Sequence, residues 1–121
     1  MNRSNPLLEK SFQFSINIID YTEKLSELNK YNMANQLFRS GTAIGAMVRE
    51  AQSPESINDF IHKLKIAAKE AEESKYWLEL AENSTHYPSP SKEKLVNLLS
   101  EVQKLLSAIL KTAKNKIKNK S

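Results

Sequence analysis

The sequence predicts an all-α protein, an antiparallel up-down-up-down four-helix bundle in a single domain, residues 1–121. Three observations support this prediction. Only two glycines and four prolines occur in 121 residues, a composition that favours helices. Apolar residues recur at helical spacing through four segments. Short connectors separate these segments, so that successive helices fold back on one another.

The first helix is predicted over about residues 6–28 and the second over about 33–52. Along the first, one seam recurs every seven residues: Leu7, Phe14, Tyr21 and Leu28. This spacing suits packing in a bundle. The second helix carries one continuous apolar stripe: Met33, Ala34, Leu37, Phe38, Gly41, Ile44, Gly45, Val48 and Ala51.

The third helix is predicted over about residues 54–83, with Ser53 as its N-cap and Pro54 in its first position. Its predicted core stripe comprises Ile57, Phe60, Leu64, Ala67, Ala68, Ala71, Ser74 and Leu78. A linker that contains Pro88 and Pro90 interrupts the helical pattern. The fourth helix is predicted over about residues 91–117.

Gly41 and Gly45 lie on one face of the second helix. Each costs about 1 kcal/mol relative to alanine in a helix interior, so the pair requires an offsetting gain. We expect close packing against a neighbouring helix, with the alanines around Ala67 as natural partners. The alternative is a hinge, or a ligand that approaches the backbone.

Several apolar side chains fall outside the core stripes: Phe12 and Ile19 on the first helix, and Ile66, Trp77 and Leu80 on the third. Isolated exposed apolar residues are common. A tryptophan with two aliphatic residues on one side that faces away from the core, however, favours an oligomer interface. Glu70 and Glu73 share that side and join the predicted interface.

Paired carboxylates such as Glu70 and Glu73 also occur as acid–base pairs or metal ligands. A di-iron bundle, however, uses Glu-x-x-His on two helices, and the nearest approach in this chain is Asp59-x-x-His62. Ion pairs with Arg39 or Lys69 are therefore the expected role. We predict no catalytic residues, no metal and no cofactor.

The formal charge of +4 is unevenly distributed. Residues 1–101 carry 12 Lys and Arg against 14 Asp and Glu, whereas residues 102–121 carry six lysines and no acid. The lysines are Lys104, Lys111, Lys114, Lys116, Lys118 and Lys120. A basic end, 111–121, either contacts nucleic-acid phosphates or simply keeps a helix end solvated.

No cysteine occurs, so disulfide frameworks and thiolate zinc sites are excluded. No apolar run approaches the roughly 18 residues of a membrane span, and no secretory signal is recognisable. We expect a cytoplasmic protein.

One long segment, QLFRSGTAIGAMVREA over residues 36–51, resembles a known bacterial family. Further matching positions follow it in order: Ser56, Asp59-Phe60, Lys63-Leu64, Lys69-Glu70-Ala71 and Tyr76-Trp77-Leu78. Lys10-Ser11-Phe12 precedes it. The family comprises four-helix-bundle proteins encoded in intervening sequences of 23S ribosomal RNA genes. The resemblance implies a ring-like homo-pentamer with a central channel and no catalytic residues.

The accessory proteins of diversity-generating retroelements are similar to this family, and they bind a reverse transcriptase and its nucleic acid. Resemblance and charge together favour a non-enzymatic oligomeric binding module for RNA, DNA or a nucleic-acid enzyme. The alternative is a structural protein-interaction scaffold without a nucleic-acid role.

Overall fold

A computed structural model describes residues 4–120. This range contains four long helices and no strand: α1 (Pro6–Glu27), α2 (Tyr31–Glu50), α3 (Ile57–Asn83) and α4 (Leu98–Lys120). The predicted all-α fold with four helices is confirmed. The outermost positions of the predicted domain, residues 1–3 and 121, lie outside the described residues, and so does the side chain of Lys120.

Neighbouring helices run antiparallel, as the order of their contacts demonstrates. Partners of α1 appear in reverse order along the chain: Tyr21 with Pro88, Asn17 with Lys94, and Lys10 with Glu101. The same reversal relates α2 to α3: Ser40 with Ser74, and Glu50 with Lys63. Both α2 and α4 contact α1 and α3. Because each helix has two such neighbours, α2 and α4 occupy opposite corners of the bundle.

The core lies along the common axis of the four helices. Each helix contributes one buried stripe, and the largest fully buried side chains are Phe14, Ile18, Leu25, Leu37, Ile44, Leu64, Leu95 and Leu106. The seven-residue seam predicted for α1 is buried at its first three positions. Its fourth, Leu28, is 54% exposed, because it lies beyond the last turn of α1.

The connector between α1 and α2 is shorter than the sequence predicted, and α2 begins two residues earlier. Asn29 adopts a left-handed conformation, with φ of 62°. The N–H of Lys30 donates to the carbonyl of Leu25 at 2.8 Å, and the N–H of Asn29 donates to that of Ser26 at 3.0 Å. These are the two bonds of a Schellman motif. They end α1 in one turn, so that α2 reverses direction at once.

The predicted start of α3 at Ser53 and Pro54 is wrong. The helix begins at Ile57 with Ser56 as its N-cap, and the Ser56 hydroxyl accepts a hydrogen bond from the N–H of Asp59 at 3.0 Å. The carboxylate of Asp59 in turn accepts from the N–H of Glu55 at 3.1 Å. This reciprocal arrangement is close to a capping box. It satisfies two backbone N–H groups, those of Glu55 and Asp59. A cap at Ser53 would satisfy fewer, so the helix begins after Ser56.

Two of the predicted stripes are misplaced at some positions. Phe38 is 49% exposed and Ile57 is 46% exposed, while Ile61 and Ala81 are buried. Phe38 lies at the α1 side of its helix, and Ile57 lies in the first turn of α3. A fixed 100° per residue drifts against the seam of a packed helix, and over 27 residues that drift explains the misplaced ends of the α3 stripe.

Helix α4 is preceded by a π-helical turn, Lys92–Asn97, and it continues to Lys120 rather than 117. The Ser91 hydroxyl caps this turn by accepting from the N–H of Lys94. The side-chain amide of Asn17 on α1 donates to the carbonyl of Lys94 at 3.0 Å, which satisfies an acceptor that π-helical geometry displaces. No helix within residues 4–120 combines the length and apolarity required to cross a membrane.

Candidate interaction surfaces

Gly41 and Gly45 pack closely against α1, and the expectation that they contact the alanines of α3 is wrong. A Cβ atom at Gly41 would lie 2.7 Å from Cγ1 of Ile18. At Gly45 it would lie 3.1 Å from the Ser15 hydroxyl and 3.3 Å from the Ser11 carbonyl oxygen. Close helix packing is therefore the role of this pair.

The partners of the glycines explain why α1 is the neighbour that approaches. Ser11 and Ser15 are small and lie one turn apart on α1, as Gly41 and Gly45 do on α2. Both serines lie opposite Gly45, so the two helices present narrow surfaces there and their backbones come close. The sequence carries this signal, because Ser11 is a small residue seven positions before Ile18 and fourteen before Leu25, both of which are large and buried.

The outer face between α1 and α2 is apolar, and we call it the α1–α2 face. Its large side chains are substantially exposed: Phe12 53%, Phe38 49%, Ile16 39% and Ile19 38%. A groove of about 270 Å³ runs between the two helices, past Gly45 and Ala46. The Arg49 guanidinium lies 5.8 Å from the centre of the Phe12 ring. Phe12 and Ile19 of the predicted interface lie here; Phe38 was missed because it was placed in the core stripe.

The outer face between α2 and α3, which we call the α2–α3 face, holds the other five residues of the predicted interface. They are Ile66, Glu70, Glu73, Trp77 and Leu80. Arg39 on α2 donates to Glu70, with its Nη1 3.0 Å from Oε2, and to Glu73. The predicted ion pairing with Arg39 is confirmed. One guanidinium thus lies between two carboxylates and holds α2 and α3 together.

Trp77 is half-buried, which corrects its predicted position away from the core. Its ring packs against the buried cluster, and its indole N–H donates to Glu73 at 3.1 Å. A groove of about 410 Å³ lies beside it, between Met33 on α2 and Leu80 on α3. Trp77 lies beside the buried stripe of α3, but its side chain is large enough to extend over the gap between α2 and α3 and contact the core. Leu80, one turn farther out, remains 40% exposed.

The two faces share α2 as their common helix. The predicted interface residues therefore do not form one patch: they divide into a pair on the α1–α2 face and a group on the α2–α3 face. Polar contacts bridge the two faces that include α4: Lys10 with Glu101, and Gln103 with Glu72. The face between α3 and α4 also holds an apolar groove of about 310 Å³, lined by Ile57, Phe60, Ile109 and Ala113.

The lysine-rich end of α4 extends past the start of α1. The ion pair between Lys10 and Glu101 sets the two helices in register, so α4 continues beyond α1 from about residue 106. Five of the six predicted lysines are exposed: Lys104, Lys111, Lys114, Lys116 and Lys118. The side chain of Lys120 is the one outside the described residues. Beyond α1 the helix still packs against the start of α3, where Ala113 is buried and Ile109 lines a groove with Ile57. The predicted basic end thus presents its lysines to solvent on the sides of α4 that do not face α3.

One contact that the sequence did not indicate fixes the proline-containing linker. The Tyr21 hydroxyl on α1 donates to the carbonyl of Pro88 at 2.6 Å. Burial raises the pKa of Tyr21 to about 12, and the nearby Tyr87 phenol adds to this rise. The hydrogen bond between Tyr21 and Pro88 holds the linker against α1 and thereby orients the π-helical turn that precedes α4.

No group of three or more His, Cys, Asp or Glu residues within residues 4–120 is arranged to hold a metal ion. His62 and His86 are both exposed. Asp59, which precedes His62 by three residues, is occupied in the N-cap of α3. In the Asp59-x-x-His62 pair, Asp59 therefore caps the helix and His62 faces solvent.

Comparisons with known proteins agree with this fold. A family model described as 23S rRNA-intervening sequence protein matches residues 3–108. No curated protein shows a significant match. A crystal structure at 1.70 Å is similar, that of a protein with unknown function from the S23 ribosomal protein family of Bacteroides thetaiotaomicron. The two sequences are 40% identical over 87% of this chain and 98% of that chain, with a TM-score of 0.81. Because the family model covers most of its length, the chain belongs to the family of 23S rRNA-intervening sequence proteins.

Proposed function

We propose that this protein is a non-enzymatic module that assembles into a homo-oligomeric ring and binds RNA or DNA through the lysine-rich end of α4. The observation that carries the nucleic-acid proposal is the end of α4, where exposed lysines follow Glu101 without an acidic residue. Phosphate backbones bind such charge by releasing counterions. The names of the family and of its solved relative both refer to ribosomal components, which supports a nucleic-acid setting.

The proposed oligomer rests on the α1–α2 and α2–α3 faces. Exposed apolar patches mark contact surfaces. Because the two faces differ, contact between one face and the other is heterologous, and heterologous contacts form a ring when the rotation closes. Adjacent faces of a four-helix bundle point about 90° apart. In a closed ring, the lines from one copy to its two neighbours form an angle of about 90° if the ring has four copies and about 108° if it has five. This geometry supports a small ring, and family resemblance favours a pentamer.

The oligomer is tested by light scattering at micromolar concentration. We expect a mass several times the 13.8 kDa of the chain, and five times for a pentamer. Phe12→Glu on the α1–α2 face and Leu80→Glu on the α2–α3 face should each shift the mass downward, because burying an unpaired charge is costly. Gln13→Glu is the matched control: it adds the same charge one residue away on α1, at an exposed position on the side of the helix away from α2. A wild-type chain of 13.8 kDa would refute the assembly.

Nucleic-acid binding is tested with the full chain and a chain ending at Ala113, which lacks four of the six lysines. Fluorescence anisotropy with single-stranded RNA and DNA at about 50 mM salt should detect binding that weakens steeply as salt rises. The shorter chain should bind more weakly. Equal binding by both chains would move the site away from the lysine end, toward Arg39, Arg49 and Lys65.

The second candidate is a structural scaffold with no nucleic-acid role, and the apolar α1–α2 face favours it, because that face needs a protein partner in either case. Assembly with no binding to RNA or DNA would select this alternative. The partner would then be a protein, and a reverse transcriptase is the first to test, given the resemblance to accessory proteins of diversity-generating retroelements.

A further inference from the structure

Helix α4 differs from the other three helices in what it shows to solvent. The exposed large apolar side chains of the described residues are Phe12, Ile16, Ile19, Leu28, Tyr31, Phe38, Ile57, Tyr76 and Leu80. None of them belongs to α4. Polar contacts bridge its flanks, to α1 through Glu101 and to α3 through Gln103, although a groove of about 310 Å³ lined by Ile57, Ile109 and Ala113 lies farther along the α3 side. Because α4 itself exposes no large apolar side chain among the described residues, its outer side is suited to remain in water when copies assemble.

Three lysines of α4 form a stripe on its outer side. Lys104, Lys111 and Lys118 are seven residues apart, as are the buried residues Leu99, Leu106 and Ala113. At 3.6 residues per turn, the lysines lie about 140–160° around the helix from this buried seam, and the stripe is about 21 Å long. The stripe therefore faces directly away from the bundle axis.

The arrangement of the two apolar faces decides which corner points toward the centre of a ring. Both faces include α2, so both neighbours of a copy lie beside α2. In any closed ring, the centre lies between the directions to the two neighbours. It follows that α2 lines the central opening and α4, at the opposite corner, lies on the outer wall.

The charges near α2 make the opening a poor site for a polyanion. The Arg39 guanidinium is already paired with Glu70 and Glu73, so this cluster carries more negative than positive charge. Glu50 and Lys63 pair with each other nearby, 3.3 Å apart. The remaining cation of α2, Arg49, lies over the Phe12 ring on the α1–α2 face, which a neighbouring copy covers. The outer wall, by contrast, carries lysines with no acidic residue after Glu101.

We infer that single-stranded nucleic acid binds around the outside of the ring, along the stripe of Lys104, Lys111 and Lys118 on α4, and does not pass through the central opening. This inference rests on the proposed function, since it requires both a ring and nucleic-acid binding. The repeated stripes of several copies form a belt of phosphate contacts around the assembly. Binding by such a belt is cooperative through avidity, because each occupied stripe raises the effective concentration of the chain at the next.

A topological experiment separates outside binding from threading without changing the protein. The assembled full-length chain is titrated with a fluorescein-labelled single-stranded DNA of one sequence, prepared as a linear strand and as a covalently closed circle. Binding to the outer wall should give the same affinity for both, within about twofold. A closed circle cannot thread a closed ring, so binding of the linear strand alone would overturn the inference.

Matched variants test the stripe itself. The triple variant Lys104→Ser, Lys111→Ser, Lys118→Ser should weaken binding by about tenfold or more at low salt, because it removes phosphate contacts from every copy. Arg39→Ser, on the inner corner, should leave the affinity unchanged within about twofold. Light scattering confirms that both variants assemble, and circular dichroism confirms that they fold.

The opposite ranking of these two variants would assign binding to the opening and overturn the inference. Failure of the proposed function looks different: the wild-type chain either scatters as a monomer or binds neither the linear nor the circular DNA. Either result also refutes outside binding, which needs the ring and the nucleic acid.

Discussion

The hydroxyl of Ser74 on α3 donates a hydrogen bond of 2.9 Å to the hydroxyl of Ser40 on α2, and both side chains are fully buried. A lone hydroxyl in this position would lose its contact with water without compensation. As a pair, the two serines satisfy each other across the interface between the helices. They also fix the register of α2 against α3, beside the Arg39 ion pairs.

The serine pair should respond non-additively to substitution. Ser74→Ala alone is expected to cost about 1–3 kcal/mol of unfolding free energy, because it leaves a buried partner unsatisfied. The double variant Ser40→Ala, Ser74→Ala should recover most of that loss, since no polar group remains to be satisfied. Urea unfolding of all four chains gives the coupling energy. Additive losses would mean that the hydroxyls do not depend on each other.

The two glycines of α2 should differ in their tolerance of a side chain. Gly41→Ala is expected to destabilise by about 1–3 kcal/mol through overpacking, because the 2.7 Å contact is with Ile18, which is fully buried. Gly45→Ala should cost less, since the Ser15 hydroxyl can rotate away while the better helix propensity returns up to about 1 kcal/mol. Gly45→Leu should cost about 1–3 kcal/mol.

Ile18 provides the control for these glycine variants. In the double variant Gly41→Ala, Ile18→Ala, the clashing atoms are gone, so the loss should be smaller than the sum of the single losses. Thermal unfolding of the four chains measures this difference. A Gly41→Ala chain as stable as the wild type would show that α1 and α2 have room to separate.

The N-cap of α3 allows a matched comparison of two serines three residues apart. Ser56→Ala should lower the unfolding free energy by about 0.5–2 kcal/mol, the usual cost of losing a capping side chain. Ser53→Ala lies outside the helix and should change stability by less than about 0.5 kcal/mol. Chemical denaturation measures both. A larger loss for Ser53→Ala would return the cap to the position first predicted from the sequence.

Tyr21 should make the stability of the bundle sensitive to strongly alkaline pH. Its pKa rises from 10.0 in the unfolded chain to about 12 in the folded protein, because burial disfavours the phenolate. The folded state therefore favours the protonated form. Its contribution is complete below pH 10 and is lost as the pH rises through about 12.

Tyr21→Phe removes this titration and also the hydrogen bond to Pro88. At neutral pH the variant should be less stable by about 0.5–1.5 kcal/mol, the usual net value of such a bond. The difference between variant and wild type should shrink between pH 10 and 12, as measured by urea unfolding at each pH. A difference that stays constant over this range would mean that Tyr21 does not ionise with unfolding.

Sequence periodicity alone located all four helices, because each buries an apolar stripe that repeats at helical spacing. The seven-residue seam of α1 and the leucines of α4 are strong enough to identify helices without knowledge of their neighbours. The ends were harder to predict, since they depend on which of two competing caps wins, as Ser56 with Asp59 did over Ser53. The lysine-rich end could also be recognised from the sequence, because the charge of a segment depends on its residues and not on the fold.

Tertiary structure decided how each helix is rotated against its neighbours. The sequence indicated that Gly41 and Gly45 allow a close approach, but only packing determined that α1 and not α3 makes that approach. It likewise determined that Trp77 covers part of the core, and that Phe12 and Trp77 lie on different sides of α2. Local sequence fixes the period of a helix, because backbone geometry repeats every 3.6 residues. The facing partner depends on how four surfaces fit together, which is a property of residues far apart in the chain.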